Sequence, residues 1–278
     1  MNYESKTFLR YPGGKGRMLD FLIQHLPSSS AINGKYVEPF VGGGSVYFSI
    51  QPKKAILSDA NQDLIDLYLG IQKDAKNVWK NFVRFGRTKT EYFRVRDIYS
   101  PRGLTQKAAR VLFLNRTCFK GMWRHNSNGN FNVGYGGQDR RWVINQENLL
   151  QVKKAVRQVK LLCSDFEEII DNTKEGDFIF SDPPYRPNEK EQLHNHYVGK
   201  KFTFDDHIRL SKALKRATKR KVKWALTISV HPEILALYKG NYISLIPRGT
   251  GRKPGSTVSD SGEVLITNYS KPERGILR

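Results

Sequence analysis

The tetrapeptide Asp182-Pro183-Pro184-Tyr185 follows the apolar run at 178–181. Its side chains therefore sit where a buried strand ends, the edge at which open α/β sheets bind ligands. A carboxylate, two prolines and a tyrosine in that order suit one task, the positioning of a poorly nucleophilic exocyclic amine such as N6 of adenine. The lone pair of that amine is delocalised into the ring, and acceptors for its two hydrogens favour the pyramidal form that attacks. Asp182 supplies one acceptor and the Pro183 carbonyl the other. The prolines hold that carbonyl outward by fixing φ and removing N–H groups that would compete. Tyr185 offers a flat face on which a base can stack. A proline-rich turn after a strand is the alternative reading of these four residues.

A second group of residues suits a cofactor. Residues 37–48, VEPFVGGGSVYF, run from a short strand through Gly42, Gly43 and Gly44 into a helix-like stretch. Glycines permit the tight turn and let backbone N–H groups approach a ligand. The next strand ends in Asp59, about where such sheets place the acid that holds ribose hydroxyls. Together these features suggest an adenosine-bearing cofactor; a structural turn with an acidic cap on Asn61 is the alternative. Lys15 closes Gly13-Gly14-Lys15, which lacks the spacing of a triphosphate-binding loop.

The elements that must position these groups alternate. Short β-rich apolar runs at 36–39, 55–58, 160–163, 178–181, 224–229, 242–246 and 264–269 predict about seven strands. Helical patterns lie between several of them. Met18, Leu19, Leu22, Ile23 and Leu26 share one face, and Ile208, Ala213, Leu214 and Ala217 share another after a capping box from Thr203 to Asp206. Such alternation predicts an α/β fold with a mostly parallel sheet covered on both faces. The stretch 64–143 breaks the rhythm, with helical segments carrying Trp79, Phe82, Tyr92 and Phe93 and then a Gly/Asn-rich, Arg-studded segment at 115–141. This organisation predicts a catalytic domain of residues 1–61 and 146–278, interrupted by a target-recognition subdomain at 62–145.

Lys and Arg total 47 against 26 Asp and Glu, a formal charge of +21, which points to a polyanionic partner. Acidic membranes also attract positive charge, so composition alone does not choose. The basic cluster at 212–223 reads as a solvated helix face. Cys118 and Cys163 have neither paired spacing nor histidines at zinc-ligand intervals, so no metal site is expected and a reducing compartment is. The N-terminus lacks the apolar run of a signal peptide, and no stretch approaches eighteen apolar residues. A soluble, cytoplasmic chain with no membrane partner is the expectation.

Taken in order, the motifs resemble those of the Dam-type N6-adenine DNA methyltransferases, the alpha-group or D12 class. The elements are Tyr11-Pro12-Gly13-Gly14-Lys15, Phe40-Val41-Gly42-Gly43-Gly44, Leu57-Ser58-Asp59-Ala60-Asn61, Asn115-Arg116 through Asn130-Phe131-Asn132-Val133, Ser181 with the following tetrapeptide, and Glu263-Val264-Leu265-Ile266-Thr267-Asn268-Tyr269. The resemblance implies a Rossmann-like methyltransferase fold with an inserted helical target-recognition subdomain bearing a β-hairpin loop. It implies transfer of the methyl of S-adenosyl-L-methionine to N6 of a flipped adenine in double-stranded DNA, with S-adenosyl-L-homocysteine as product and GATC as the expected target. It places Tyr11, Gly14, Lys15, Glu38, Pro39, Phe40, Gly42, Gly44, Ser45, Asp59, Asp165, Phe166 and Asp182 on the cofactor. The catalytic residues it implies are Asp182, Pro183, Pro184 and Tyr185. On DNA it places Arg116, Phe119, Met122, Arg124, Asn126 and Asn132, with Arg124 reading guanine through O6 and N7 and Phe119 wedging into the vacated stack. The sequence departs from the closest Dam members at Tyr11, Thr117, Cys118, Trp123 and Gly134. A cognate restriction endonuclease sharing the target site is a partner that the resemblance allows.

Other readings of the same residues are an amino methyltransferase acting on cytosine N4, on RNA or on protein glutamine, and a non-catalytic DNA-binding module. Cytosine-N4 enzymes usually carry Ser where this chain has Asp182. RNA and protein substrates leave the segment between Asn115 and Val133 unexplained. A binding module would give the tetrapeptide and the Gly-Gly-Lys motif no purpose.

Overall fold

The computed structural model describes residues 8–10, 15–185, 202–247 and 260–270. Tyr11 and Gly14 lie outside the described residues. All seven predicted strands are present: β1 Tyr36–Glu38, β2 Ala55–Asp59, β3 Lys160–Cys163, β4 Phe178–Ser181, β5 Lys223–Ser229, β6 Tyr242–Pro247 and β7 Asp260–Thr267. Their order is β3-β2-β1-β4-β5-β7-β6. β1 pairs in parallel with β2 and β4, and β4 in parallel with β5. β7 runs antiparallel to β5 and β6. Every residue of β1 and β4 is buried, as parallel strands covered on both faces require. From β1 the chain steps outward to β2, and from β4 it steps the other way to β5. The topological switch point, where open α/β sheets hold ligands, therefore falls between β1 and β4.

Nine α-helices occur among the described residues: α1 Leu19–His25, α2 Ser45–Ile50, α3 Gln62–Arg84, α4 Lys89–Asp97, α5 Leu104–Thr117, α6 Gln146–Val156, α7 Phe166–Asp171, α8 Phe204–Lys219 and α9 Pro232–Ala236. The capping box at the start of α8 forms as predicted, with the Thr203 hydroxyl accepting from Asp206 N and the Asp206 carboxylate accepting from Thr203 N.

The described residues divide into two compact units, one of 8–10 and 59–163, the other of 15–58, 164–185, 202–247 and 260–270. The first is mainly helical. α3 buries Leu64, Ile65, Leu67, Tyr68, Ile71, Val78 and Phe82 and breaks its helical geometry at Asp74. It approaches α5 closely at Gly70, where a Cβ would lie 2.4 Å from the Ala108 Cβ. The second unit holds β1, β4, β5, β6, β7 and most of β2.

Arg141 braces the first unit from within. It is fully buried, and its guanidinium donates to the carbonyls of Phe82 at 3.0 Å, Phe85 at 2.6 Å and Gly86 at 2.7 Å, around the C-terminal end of α3. Those carbonyls have no helical partners of their own. The rings of Phe82, Phe113 and Trp142 enclose the charge at 4.7–5.2 Å. Arg141→Ala leaves several buried acceptors unpaired, each costing about 1–3 kcal/mol. The expected result in urea unfolding is a loss of about 3 kcal/mol or more, only partly recovered by Arg141→Lys because an ammonium lacks the planar fork. A change below about 1 kcal/mol would remove Arg141 from this bracing role.

Candidate active site

β4 ends at Ser181, and the next four residues leave the carboxyl edge of the sheet beside the switch point. Lys15 begins a short 3-10 turn, Lys15–Arg17, and its side chain is only 5% exposed. Its Nζ lies 3.0 Å from Asp182 Oδ1 and 3.1 Å from Glu263 Oε2, is hydrogen-bonded with the Tyr185 hydroxyl and sits 4.5 Å from the centroid of that ring. The Tyr185 hydroxyl faces Glu263 Oε2 at 2.8 Å and Asp182 Oδ1 at 3.1 Å. Thr227, on β5, donates its hydroxyl to Asp182 Oδ1 at 2.7 Å. Residues carried by three neighbouring strands, β4, β5 and β7, thus meet around Lys15 and Tyr185.

The electrostatics follow from this packing. Burial disfavours the Lys15 ammonium, but Asp182 and Glu263 outweigh it and raise its pKa above the ordinary lysine value. Burial, reinforced by the same two carboxylates, pushes the Tyr185 phenol well above its usual range. At neutral pH the lysine is charged and the phenol keeps its proton. At the end of β1, Glu38 is buried and accepts the Tyr36 hydroxyl at 2.8 Å.

The turn after β1 carries the second group of predicted residues. Gly42 and Gly44 adopt φ of +46° and +68°, a region that disfavours residues with a Cβ. Pro39 and Gly44 are buried, and Ser45 opens α2. The Phe40 ring lies 5.3 Å from that of Phe166 and 5.8 Å from that of Phe202. Asp165 caps α7 by accepting from Glu167 N and pairs with Arg209 at 2.8 Å, while the Arg209 guanidinium lies 4.8 Å from the Phe166 ring. Aromatic faces, a half-exposed carboxylate and a left-handed glycine turn are a set that fits an adenosine group.

The structure therefore brings together Lys15, Asp182 and Tyr185 as one cluster and Phe40, Asp165 and Phe166 as another. Asp59, in the first unit, ends β2 and accepts from Asn61 N at 3.0 Å, while Asn61 caps α3 through Asp63 N. The capping arrangement read as an alternative for this residue is present in the geometry.

The segment expected on DNA belongs to the first unit. Asn115 and Arg116 are not in its hairpin; they lie in the last turn of α5, each 2% exposed. Asn115 exchanges two hydrogen bonds with the Arg10 backbone, at 2.8 and 2.7 Å. Arg116 donates to the Arg140 carbonyl at 2.7 Å through Nε, and burial, with Arg10 and Arg140 nearby, lowers its pKa to about 10. That buried guanidinium ties the two ends of the segment together rather than pointing outward. The hairpin follows, marked by bridges Cys118↔Tyr135 and His125↔Phe131 and by Asn132 N donating to Arg124 O at 3.0 Å. At its tip Asn126 Oδ1 accepts from Asn128 N and Asn130 N, and Gly129 takes φ +76°. Arg124 Nε donates to Asn132 Oδ1 at 2.9 Å. Phe119 is 48% exposed, and Met122 is half-buried. His125 anchors the hairpin to the first turn of α3 through Asp63 at 3.1 Å.

Thr227 and Glu263 received no role from the sequence. Glu263 belongs to the closing motif, and an acid just ahead of the apolar run VLIT was the available signal; Thr227 sits unremarked within WALTIS. Among the described residues no helix is long and apolar enough to cross a membrane.

Comparison with known proteins identifies the family. The family of D12 class N6 adenine-specific DNA methyltransferases matches residues 11–252. The type II methyltransferase M.MjaIII of Methanocaldococcus jannaschii is 33% identical over 293 residues, covering 96% of this chain and 100% of that protein. The DNA N-6-adenine-methyltransferase of Escherichia phage P1 is 34% identical over 238 residues, covering 84% of this chain and 31% of that protein. A DNA adenine methylase of Vibrio cholerae is 27% identical over 265 residues, covering 93% and 92%. A match that runs from the Gly-Gly-Lys motif past the Asp182–Tyr185 tetrapeptide, on a mostly parallel sheet, places this chain in the D12 class of N6 adenine-specific DNA methyltransferases.

Proposed function

We propose that this chain methylates N6 of an adenine flipped out of double-stranded DNA, with GATC as its target. The observation that carries the reading is the Asp182 carboxylate at the carboxyl edge of β4, fixed by Thr227 and Lys15. Asp182 and the Pro183 carbonyl accept the two hydrogens of the amine and hold it pyramidal. Tyr185 and Pro184 shape the pocket on which the base stacks. Lys15, Glu38, Pro39, Phe40, Gly42, Gly44, Ser45, Asp165, Phe166 and Asp182 are the residues of this unit assigned to S-adenosylmethionine, which supplies an electrophilic methyl group. Because reaction requires collinear approach of two atoms, positioning provides most of the acceleration.

Extruding the adenine costs a few kcal/mol in unstacking and unpairing. Phosphate contacts and counterion release, drawn from the +21 formal charge, offset that cost. In this reading Phe119 fills the vacated stack and Arg124 reads guanine; the exposure of Phe119 and the bracing of Arg124 by Asn132 support these roles. Met122, Asn126 and Asn132 complete the hairpin surface assigned to the duplex. The cytoplasm is the compartment of this reading, and an endonuclease sharing the target site is its partner. The test is to incubate an unmethylated plasmid with the enzyme and S-adenosylmethionine and to map modified bases by single-molecule sequencing. N6-methyladenine confined to GATC is the expected result. Modification at another sequence would overturn the target, and modification of cytosine would overturn the amine assignment.

A further inference from the structure

Lys15 and the Tyr185 hydroxyl both stand between two carboxylates. The Lys15 ammonium is 3.0 Å from Asp182 and 3.1 Å from Glu263, while the phenol is nearer Glu263, at 2.8 Å, than Asp182, at 3.1 Å. A phenol has one proton to give, so in this geometry it goes to Glu263. We propose that Glu263 is a positioning residue for methyl transfer: it engages Lys15 and Tyr185 so that the Lys15–Asp182 pair does not neutralise the site and the substrate amine meets a cluster of net negative charge. The inference rests on the function proposed above and adds a residue that the tetrapeptide does not contain.

The register of the sheet explains how Glu263 arrives there. On β7, Glu263 lies opposite Ser229 and Leu265 lies opposite Thr227, so Glu263 and Thr227 share one face of the β5/β7 ladder. Thr227 fixes Asp182 from that face, and Glu263 fixes the two groups that would otherwise crowd it.

The charges give the arrangement its purpose. One ammonium against two carboxylates leaves the cluster at −1; without Glu263, Lys15 and Asp182 cancel. In the reaction the N6 lone pair forms the new N–C bond and the pair of the broken C–S bond stays with sulfur. N6 turns positive, then releases one proton to water by way of Asp182. A cluster at −1 stabilises that positive nitrogen, whereas a neutral one does not. Lys15 is 5% exposed and both carboxylates about 20%, so solvent screens these charges less than on an open surface.

The test compares wild type with Glu263→Gln and Glu263→Asp. Glu263→Gln should slow single-turnover methylation about tenfold or more, as expected when one charge interaction equal to about one pKa unit is lost. KM for duplex and the calorimetric Kd for S-adenosylhomocysteine should stay within about twofold, and Glu263→Asp should recover part of the rate. A second readout needs no cofactor. The raised pKa of Lys15 adds stability that is present below its unfolded value and lost as pH rises through the folded one. In Glu263→Gln the folded value drops, so this alkaline loss is smaller and is complete at lower pH than in wild type.

A single-turnover rate within twofold of wild type would overturn the proposal. So would a matching loss of homocysteine-product affinity, which would make Glu263 a cofactor-binding residue, or an unmoved alkaline transition. Should Glu263→Gln not fold, Glu263→Asp decides by the same split between rate and affinity. A wild-type enzyme that leaves adenine unmodified would instead refute the function on which the inference rests.

Discussion

Asp182→Ala is expected to lower the single-turnover rate of methylation by about 10²–10⁴-fold, the usual scale for removing a positioned acid–base group. Duplex affinity should change little, because the carboxylate lies at the edge of β4 and not on the hairpin assigned to DNA. The substitution also strips Thr227 of its carboxylate acceptor and leaves Lys15 with Glu263 as its remaining carboxylate. Asp182→Asn is therefore the needed companion. It keeps the size and one acceptor oxygen but not the charge, so it should remain nearly as slow while folding like wild type. A rate near wild type in either variant would remove Asp182 from the mechanism.

Arg124→Ala has the second largest expected effect, and it falls on specificity. Arg124 lies next to the His125↔Phe131 bridge on its stem side and is held at Nε by Asn132, which leaves its two terminal nitrogens for the proposed fork on guanine O6 and N7. Losing it should cost about 1–3 kcal/mol in kcat/KM on the cognate duplex and much less on duplexes already changed at that guanine. Lys219, exposed in the last turn of α8, is the control, since Lys219→Ala should affect all sequences alike if it touches phosphate at all. Arg124→Ala slowing every duplex by one factor would make Arg124 a phosphate contact.

The parts of this molecule that were legible in the sequence are those that local chemistry determines. β4 coincides with the run at 178–181 because a strand buried on both faces reads as an uninterrupted apolar segment; β3, an edge strand with exposed ends, coincides with the run at 160–163 around its buried Leu161. The α8 capping box was legible because its donors and acceptors lie three residues apart. β7 starts four residues earlier than its apolar run. Asp260, Ser261 and Gly262 carry no apolar alternation, and the pairing with β5 and β6 draws them in. The same limit separates the parts of the site. Asp182 and Tyr185 announce themselves within one tetrapeptide. Thr227 and Glu263 join them only through the order β4-β5-β7, which no spacing in the sequence records. Arg116, which the resemblance places on DNA, is buried and bonds the Arg140 carbonyl, a partner twenty-four residues away that no local pattern records.

The central claim is that the transferred methyl ends on N6 of adenine. The direct measurement is to incubate unmethylated duplex DNA with the enzyme and S-adenosylmethionine, digest it to nucleosides and identify the methylated product by mass spectrometry. The account predicts N6-methyl-2′-deoxyadenosine, formed by wild type and nearly abolished in Asp182→Ala. N4-methyl-2′-deoxycytidine, or no methylated nucleoside from a folded enzyme that binds the cofactor, would contradict it.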